Sequence, residues 1–443
     1  MRLTNMALSC YSQIFDTLNT KIMKVLIIGG GGREHALAWK ISQSPAVKKI
    51  YVSPGNGGTD LDNNIENINI SDTQDLIDFA TKQKIDLTVV GPEAPLAIGI
   101  VNEFKKNNLS IFGPTKAAAQ LESSKEFSKS FMARHKIPTA KFATFEDTIS
   151  AHEYLQDNPA PIVIKADGLA SGKGVVVAMT DKEAHEAVDL MLSEKIYGSA
   201  GTKIIIEEFI EGEEASFIVI CDGSTILPLD SSQDHKRLLD NDAGPNTGGM
   251  GAYSPAPIVT DEVNKKIMDQ VIIPTIEGMK KEGIEFSGFL YAGIIVDPNK
   301  NIKTLEFNCR MGDPETQPLL FRMQSDLFSV LFKAAKQELE GVEINWDKEH
   351  AITIVMASKD YPIKPILGDQ INLPKNQDDS TFIFHAGTNI ENSKIITSGG
   401  RVLGVTAKGR TLEIAKNKAY DVLKKVEFNG AQFRTDIGKK ALN

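Results

Sequence analysis

From Lys24 to Pro114, short β-branched runs alternate with amphipathic stretches: KVLIIGG, EHALAWKISQS, KKIYVSPG, TQDLIDFATKQK, IDLTVVGPE, VNEFKKNNL and SIFGP. Strands separated by helices of this length predict a parallel sheet. Glycines and prolines cluster after the strand ends, at Gly29 to Gly32, Pro54 to Gly58 and Gly91 to Pro95. In open α/β sheets that carboxyl edge is where ligands bind. From about Ala117 the pattern changes. A helix is expected through Ser123 to His135, then β-rich segments joined by glycine loops. PIVIKADG and GVVVAMT read as two strands around a short loop, followed by a helix near Lys182 to Ser193 and the strand TKIIIEEFI. A third segment, from about Asn345, carries HAITIVMAS, STFIFHAGT, GGRVLGVTAKG and a final helix from Thr411 to Val426, the pattern of a smaller β-rich cap. The fold class expected is therefore α/β plus α+β, without internal repeats or low-complexity tracts.

With 443 residues the chain suggests about three domains, at roughly 100–200 residues each. Its 41% hydrophobic and 24% charged residues are those of a globular protein. No apolar run approaches the ~20 residues needed to cross a bilayer, which excludes a membrane span. A net charge of −9 argues against a nonspecific nucleic-acid surface, while local lysines and arginines could still hold small anions. Cys10, Cys221 and Cys309 are odd in number and lack metal or redox spacing, which fits a reducing cytoplasm. Met1 to Ile22 is a poor secretory signal, because Ser9, Ser12 and Gln13 interrupt its apolar stretch. It reads as an extension or a misassigned start, since Met23 directly precedes a strand; a disordered or targeting segment is the alternative.

Two glycine loops invite nucleotide readings. GGGGREH at Gly29 to His35 follows a strand and opens a helix, the context of an anion site. It fails the dinucleotide pattern, because Glu34 or His35 takes the third glycine's place and IYVS ends without the acidic residue expected for ribose. A tight turn without a ligand is the bland reading. GLASGKG at Gly168 to Gly174 has three residues rather than four between Gly168 and Gly172, and Gly174 replaces the metal-binding Ser or Thr, so it is not a Walker motif. Between two strands it reads as a hairpin tip folding over phosphates through backbone N–H groups, with Lys173 as a point charge; the alternative is a surface hairpin.

In TLEFNCRMGDPETQ, the period of two puts Glu306, Asn308 and Arg310 on one strand face and Leu305, Phe307 and Cys309 on the other. That pattern also describes a solvated strand. The dense turn Gly312, Asp313, Pro314, Glu315 favours chemistry: hard oxygen ligands for Mg²⁺ at Glu306 and Asn308, and a guanidinium for a phosphoryl group at Arg310. SSQDHKRLLDNDAGPNTGGMGAYSP, Ser231 to Pro255, is expected to be too irregular for helix or strand and to be a functional loop.

GGGGREHALAWK, VGPEAPL, FGPTKAAAQLE, KADGLASGKGV, EEFIEGEEASF, SQDHKR, GPNTGGMGAYSP and EFNCRMGDPETQPLL together resemble the phosphoribosylamine–glycine ligase family of the ATP-grasp superfamily, in order from about residue 23 to residue 440. The resemblance implies an N-terminal α/β substrate domain (23–123), an ATP-grasp domain (124–338, lid subdomain about 145–212) and a C-terminal β-rich cap (339–443). It implies that glycine's carboxylate takes the γ-phosphoryl of ATP and that phosphoribosylamine attacks the glycyl phosphate. It further implies Lys125 and Lys165 on ATP phosphates and a lid at Gly168, Ser171, Gly172, Lys173 and Gly174. Glu207, Glu208, Phe209 and Ile210 would line adenine, partly through backbone groups, and Glu214 would meet ribose. Glu306 and Asn308 would hold Mg²⁺ or Mn²⁺, and Arg310 would steady the phosphoryl group. Gly31, Gly32, Arg33, Glu34 and Glu93 would border the phosphoribosylamine site. Asp234, Lys236 and the loop Asn246, Thr247, Gly248, Gly249 to Gly251 would face substrate. Glycine and phosphoribosylamine are the expected partners, with no nucleic acid or membrane, in a monomer or weak homodimer. Three departures stand out: Met1 to Ile22 lies outside the resemblance, SKDYP at Ser358 to Pro362 replaces a glycine-rich version, and Ala292 and Gly293 stand where many superfamily members offer a first metal carboxylate. Another ATP-grasp ligase of purine metabolism, or a nucleotide-sensing protein, are the alternatives. The sensor has no need of Glu306, Asn308 and Arg310 together.

Overall fold

Val25 to Ile28 are all at most 5% exposed, the mark of a strand covered on both faces. In the computed structural model, which describes residues 22–168, 174–194, 202–374 and 378–442, this strand, Met23–Gly29, is the centre of a five-stranded parallel sheet. The order is Ile65–Asn67, Val47–Pro54, Met23–Gly29, Leu87–Val90, Ile111–Phe112. The chain reverses its winding between Met23–Gly29 and Leu87–Val90, so the turns after these strands flank a crevice at the carboxyl edge. Helix Gly32–Ser42 begins there.

Residues 124–308 build two antiparallel sheets. Phe142–Phe145, Ile204–Glu208, Ile162–Ala166 and Val175–Ala178 form one, with helices Thr148–Asp157 and Asp181–Val188 packed on it through Ala151, Leu155, Ile164, Ala184 and Ile206. Ile226–Pro228, Glu213–Asp222, Ser287–Val296 and Ile302–Asn308 form the other. Its apolar residues share a core with the N-terminal sheet: Leu26, Phe104, Phe217, Leu290 and Phe307 belong to one buried cluster. The crevice of the parallel sheet is thereby held against the strand that carries Glu306.

Two expectations are corrected. The stretch 231–255 is not irregular: it contains strands Gln233–Asp234, Arg237–Leu239, Ala243–Asn246 and Gly251–Ser254. Gly251–Ser254 pairs with His350–Ala357, about a hundred residues later, and joins a sheet completed by Arg401–Gly409 and Thr381–His385. Strands of two to four glycine-containing residues have no period of their own, and their register comes from a distant partner. Secondly, Leu305 does not continue the apolar face of Phe307 and Cys309. Gly293 pairs with Glu306 and Ile294 with Thr304, so Leu305 is the extra residue of a bulge and stays outside the buried core that holds the other two.

Candidate active site

One end of the cleft is built from lysines around one buried carboxylate. Lys165 extends from strand Ile162–Ala166 and Lys129 from helix Lys125–Arg134, and both place Nζ 2.9 Å from the same Oε2 of Glu207. Burial lowers the Lys129 pKa to about 8, with Lys165 adding to the effect. The other Glu207 oxygen, Oε1, is buried without a hydrogen-bond partner. The Glu207 carboxylate therefore serves the two lysines through one of its oxygens. Lys125 donates from Nζ to Gly168 O at 2.8 Å, and the N–H groups of Lys125 and Glu126 donate to Asp167 Oδ1 at 2.6 and 3.1 Å. One aspartate thus caps the helix and fixes the start of the glycine loop. Gly174 O accepts from Ala166 N–H at 2.8 Å, while Ser171, Gly172 and Lys173 lie outside the described residues. Glu208 pairs with Lys303, and Phe209 and Ile210 follow, half-buried.

At the other end, Glu306, Asn308 and Arg310 come together as their alternation requires. Lys236 Nζ contacts Glu214 and lies 4.0 Å from Glu306 Oε1. Burial works against ionisation of Glu306, but Lys236, Lys165, Lys125 and Arg310 outweigh it and hold the carboxyl at about 2. The Arg310 guanidinium donates to Asn308 Oδ1 at 2.9 Å and to Met311 O at 3.2 Å. It pairs with Glu122 Oε1 at 3.0 Å and Glu93 Oε2 at 3.3 Å. Gly293 stands opposite Glu306, so no second carboxylate approaches from that strand, and among the described residues no three His, Cys, Asp or Glu side chains form a cluster suited to a metal. Glu306, held ionised by the cations around it, and Asn308 offer two hard oxygens, a donor set that fits a divalent cation such as Mg²⁺.

At the crevice, Gly31 N–H donates to Glu34 Oε2 and Arg33 Nε to Glu34 Oε1, both at 2.6 Å. The glycines make room for this buried carboxylate: a Cβ on Gly91 would lie 2.0 Å from Glu34 Oε1. Arg33 also donates to Met311 O at 3.2 Å, linking the crevice to the segment that follows strand Ile302–Asn308 and carries Arg310. Asp234 is buried beside Glu315, Lys236, Glu214 and Arg401; burial, then Glu315, push its carboxyl well above the usual range, and its Oδ1 has no hydrogen-bond partner. Gly249, at φ +110°, packs on it, with Asn246 and Thr247 on the approach. Arg401 closes this side from the third sheet: its Nη1 donates to Gly248 O and Asp313 O at 2.5 Å, and its Nη2 pairs with Asp313 at 3.2 Å.

Four of these residues were not singled out from the sequence. Lys129 repeats Lys125 one helical turn later, a spacing that could have signalled it. Glu122, Arg401 and Gln317, which donates to Asp313 Oδ1 at 2.9 Å, lie in segments the sequence did mark, but nothing in those segments sets these three side chains apart from their neighbours.

Three family models match in order: the N domain of phosphoribosylglycinamide synthetase over residues 23–122, its ATP-grasp (A) domain over 123–316 and its C domain over 351–440. A phosphoribosylamine–glycine ligase of Ralstonia nicotianae is 56% identical over 421 residues, 95% of this chain and 100% of that protein. One from Neisseria meningitidis serogroup A is 53% identical over 95% of this chain and 100% of its own length. The crystal structure of phosphoribosylamine–glycine ligase from Thermotoga maritima superposes with a TM-score of 0.81 at 33% identity, covering 94% of this chain and 100% of that one. A biotin carboxylase of Campylobacter jejuni, at 16% identity and a TM-score of 0.72, shares the fold.

Proposed function

The chain belongs to the phosphoribosylglycinamide synthetase family, and from that premise we propose that it joins glycine to phosphoribosylamine through a glycyl phosphate, at the residues assembled above. The observation that carries the reading is the convergence of Lys125, Lys165, Lys236 and Arg310 on the ionised Glu306, a cationic pocket with a carboxylate at its centre.

In the first step a glycine carboxylate oxygen bonds to the γ-phosphorus of ATP and ADP departs. Little covalent chemistry is asked of the protein, which supplies position and charge. Lys125 and Lys165 hold the phosphates, and the family pattern assigns Gly168, Lys173 and Gly174 to the same ligand. Glu214 meets the ribose, and the backbone around Glu207 to Ile210 meets adenine. Glu306 and Asn308 would hold Mg²⁺ or Mn²⁺, which when bound would neutralise phosphate charge. Arg310 stabilises the oxygens of the phosphoryl in transit. In the second step the amine of phosphoribosylamine, bordered by Gly31, Gly32, Arg33, Glu34 and Glu93, bonds to the glycyl carbon and inorganic phosphate departs. Asp234, whose Oδ1 has no hydrogen-bond partner, would receive the amine proton, with Lys236 and the 246–251 loop beside it. The same reading places the enzyme in the cytoplasm as a monomer or weak homodimer; among the described residues no helix is long and apolar enough to cross a membrane.

The test is ADP release dependent on both glycine and phosphoribosylamine. Release with another amine or carboxylate in their place would transfer the chain to a different ligase activity.

A further inference from the structure

Glu122 belongs to the short helix Gln120–Ser123, where the N-terminal sheet hands over to the body. Its side chain is 8% exposed. One oxygen, Oε2, accepts the main-chain N–H of Cys309 at 2.7 Å, and the other, Oε1, pairs with Arg310 Nη2 at 3.0 Å. A single carboxylate thus fixes both the backbone that ends the Glu306 strand and the guanidinium that follows it. The same Nη2 donates to Asn308 Oδ1 at 2.9 Å. Glu93 is differently placed. It approaches Nε at 3.3 Å with 27% of its side chain exposed, and Nε is buried without a hydrogen bond. Arg310 is therefore held closely at Nη2, by Glu122 and Asn308, and more loosely at Nε, by Glu93.

We propose that Glu122 is a positioning residue for the phosphoryl transfer: through Nη2 it holds Arg310, and through the Cys309 N–H the backbone beside it, where the guanidinium can meet the transferring group. This rests on the role given to Arg310 under Proposed function. A buried acidic clamp is suited to the task, because a guanidinium released from it would be drawn toward Glu306 or Glu93, and rotation about its long side chain would misplace the charge.

The test is a double-mutant cycle on the full chain: Glu122→Gln, Arg310→Ala and both together, with kcat and the KM for ATP measured at saturating glycine and phosphoribosylamine. Glu122→Gln is expected to lower kcat by about 10- to 100-fold while the KM for ATP stays within about threefold, as for loss of a transition-state contact. The double variant should be no slower than Arg310→Ala by more than about threefold, because a residue acting only through Arg310 has nothing left to lose. Independent, multiplying losses would overturn the proposal, since general damage to the fold adds to the loss of Arg310. Near-normal kcat in Glu122→Gln, with Arg310→Ala impaired, would overturn it while leaving the role of Arg310 intact. Near-normal kcat in Arg310→Ala would instead remove that role, and the proposal with it. If Glu122→Gln does not fold, Glu122→Asp, which withdraws the carboxylate by one methylene, replaces it in the cycle; normal turnover there would equally overturn the proposal.

Discussion

Glu306→Gln separates a metal ligand from a decorated strand by magnitude. The substitution keeps the side chain's shape and removes one negative charge. In the folded protein that charge faces Lys236 Nζ at 4.0 Å, and its own side chain is 36% exposed. A pair so open to solvent contributes about 0–1 kcal/mol. Lys236 keeps Glu214 as a direct partner, so no buried lysine is stranded. The fold should therefore lose no more than about 1 kcal/mol. Catalysis should lose far more. With the carboxylate replaced, the proposed metal would be left two amide oxygens and no anionic protein ligand, and four cations, Lys236, Lys165, Lys125 and Arg310, face a neutral amide. A misplaced phosphoryl group raises the barrier by several kcal/mol, a loss of about a hundredfold or more in turnover. Turnover at saturating ATP, glycine and phosphoribosylamine over a Mg²⁺ titration, beside a thermal unfolding curve, reads both quantities. Near-normal turnover of the folded variant at low Mg²⁺ would refute the metal-ligand role.

Three further outcomes are expected. Burial, aided by His385 and Arg434 respectively, lowers His35 to about 3 and His235 to about 4, and burial alone lowers His385 to about 4. The unfolded chain binds these protons near pH 6.5 and the folded chain does not, so each imidazole's contribution is present above about 6.5 and falls with pH, by about 2 kcal/mol per residue at pH 5. Urea unfolding at pH 7 and pH 5 measures the loss, and a His35→Gln variant with an unchanged pH dependence would contradict it. Arg401→Ala frees Asp313 and the 248–249 backbone together and should lower kcat/KM for phosphoribosylamine by about 10- to 100-fold with little change in the KM for ATP; equal losses for both substrates would argue against a local effect. Gly249→Ala asks alanine to adopt φ +110° and puts Cβ 2.5 Å from Pro314 Cδ and 2.8 Å from Asp234 Oδ1, so a cost of about 1–3 kcal/mol in stability and a fall in turnover are expected; wild-type unfolding would show that the loop yields freely.

Sequence order reveals this protein where an element carries its own period. The buried strand Met23–Gly29 and the helix Lys125–Arg134, capped by Ser124, are readable because hydrophobic spacing and capping chemistry are local. The face shared by Glu306, Asn308 and Arg310 was readable for the same reason. Leu305 was not, because a bulge is a property of two strands: whether it forms depends on how Gly293 and Ile294 pair. The short strands of 231–255 fail likewise, since Gly251–Ser254 is a strand only against His350–Ala357.

The missed site residues share a physical cause. Glu122 acts on Arg310 from 188 positions away, and Arg401 acts on Asp313 across 88. Neither has a neighbour in sequence that explains it. Each is a charged group whose environment is supplied by another domain, and each fixes a group that sequence had already marked. Residues that meet a ligand are confined to types set by the ligand's chemistry, which makes them legible in strings such as LEFNCRMGDPE. Residues that aim those groups are chosen by geometry that exists only once the parallel sheet, the body and the third sheet have closed on one another. The orienting partners of Arg310 and Asp313 therefore come into view only with the fold, and the proposed transfer chemistry would depend on them as much as on the groups they hold.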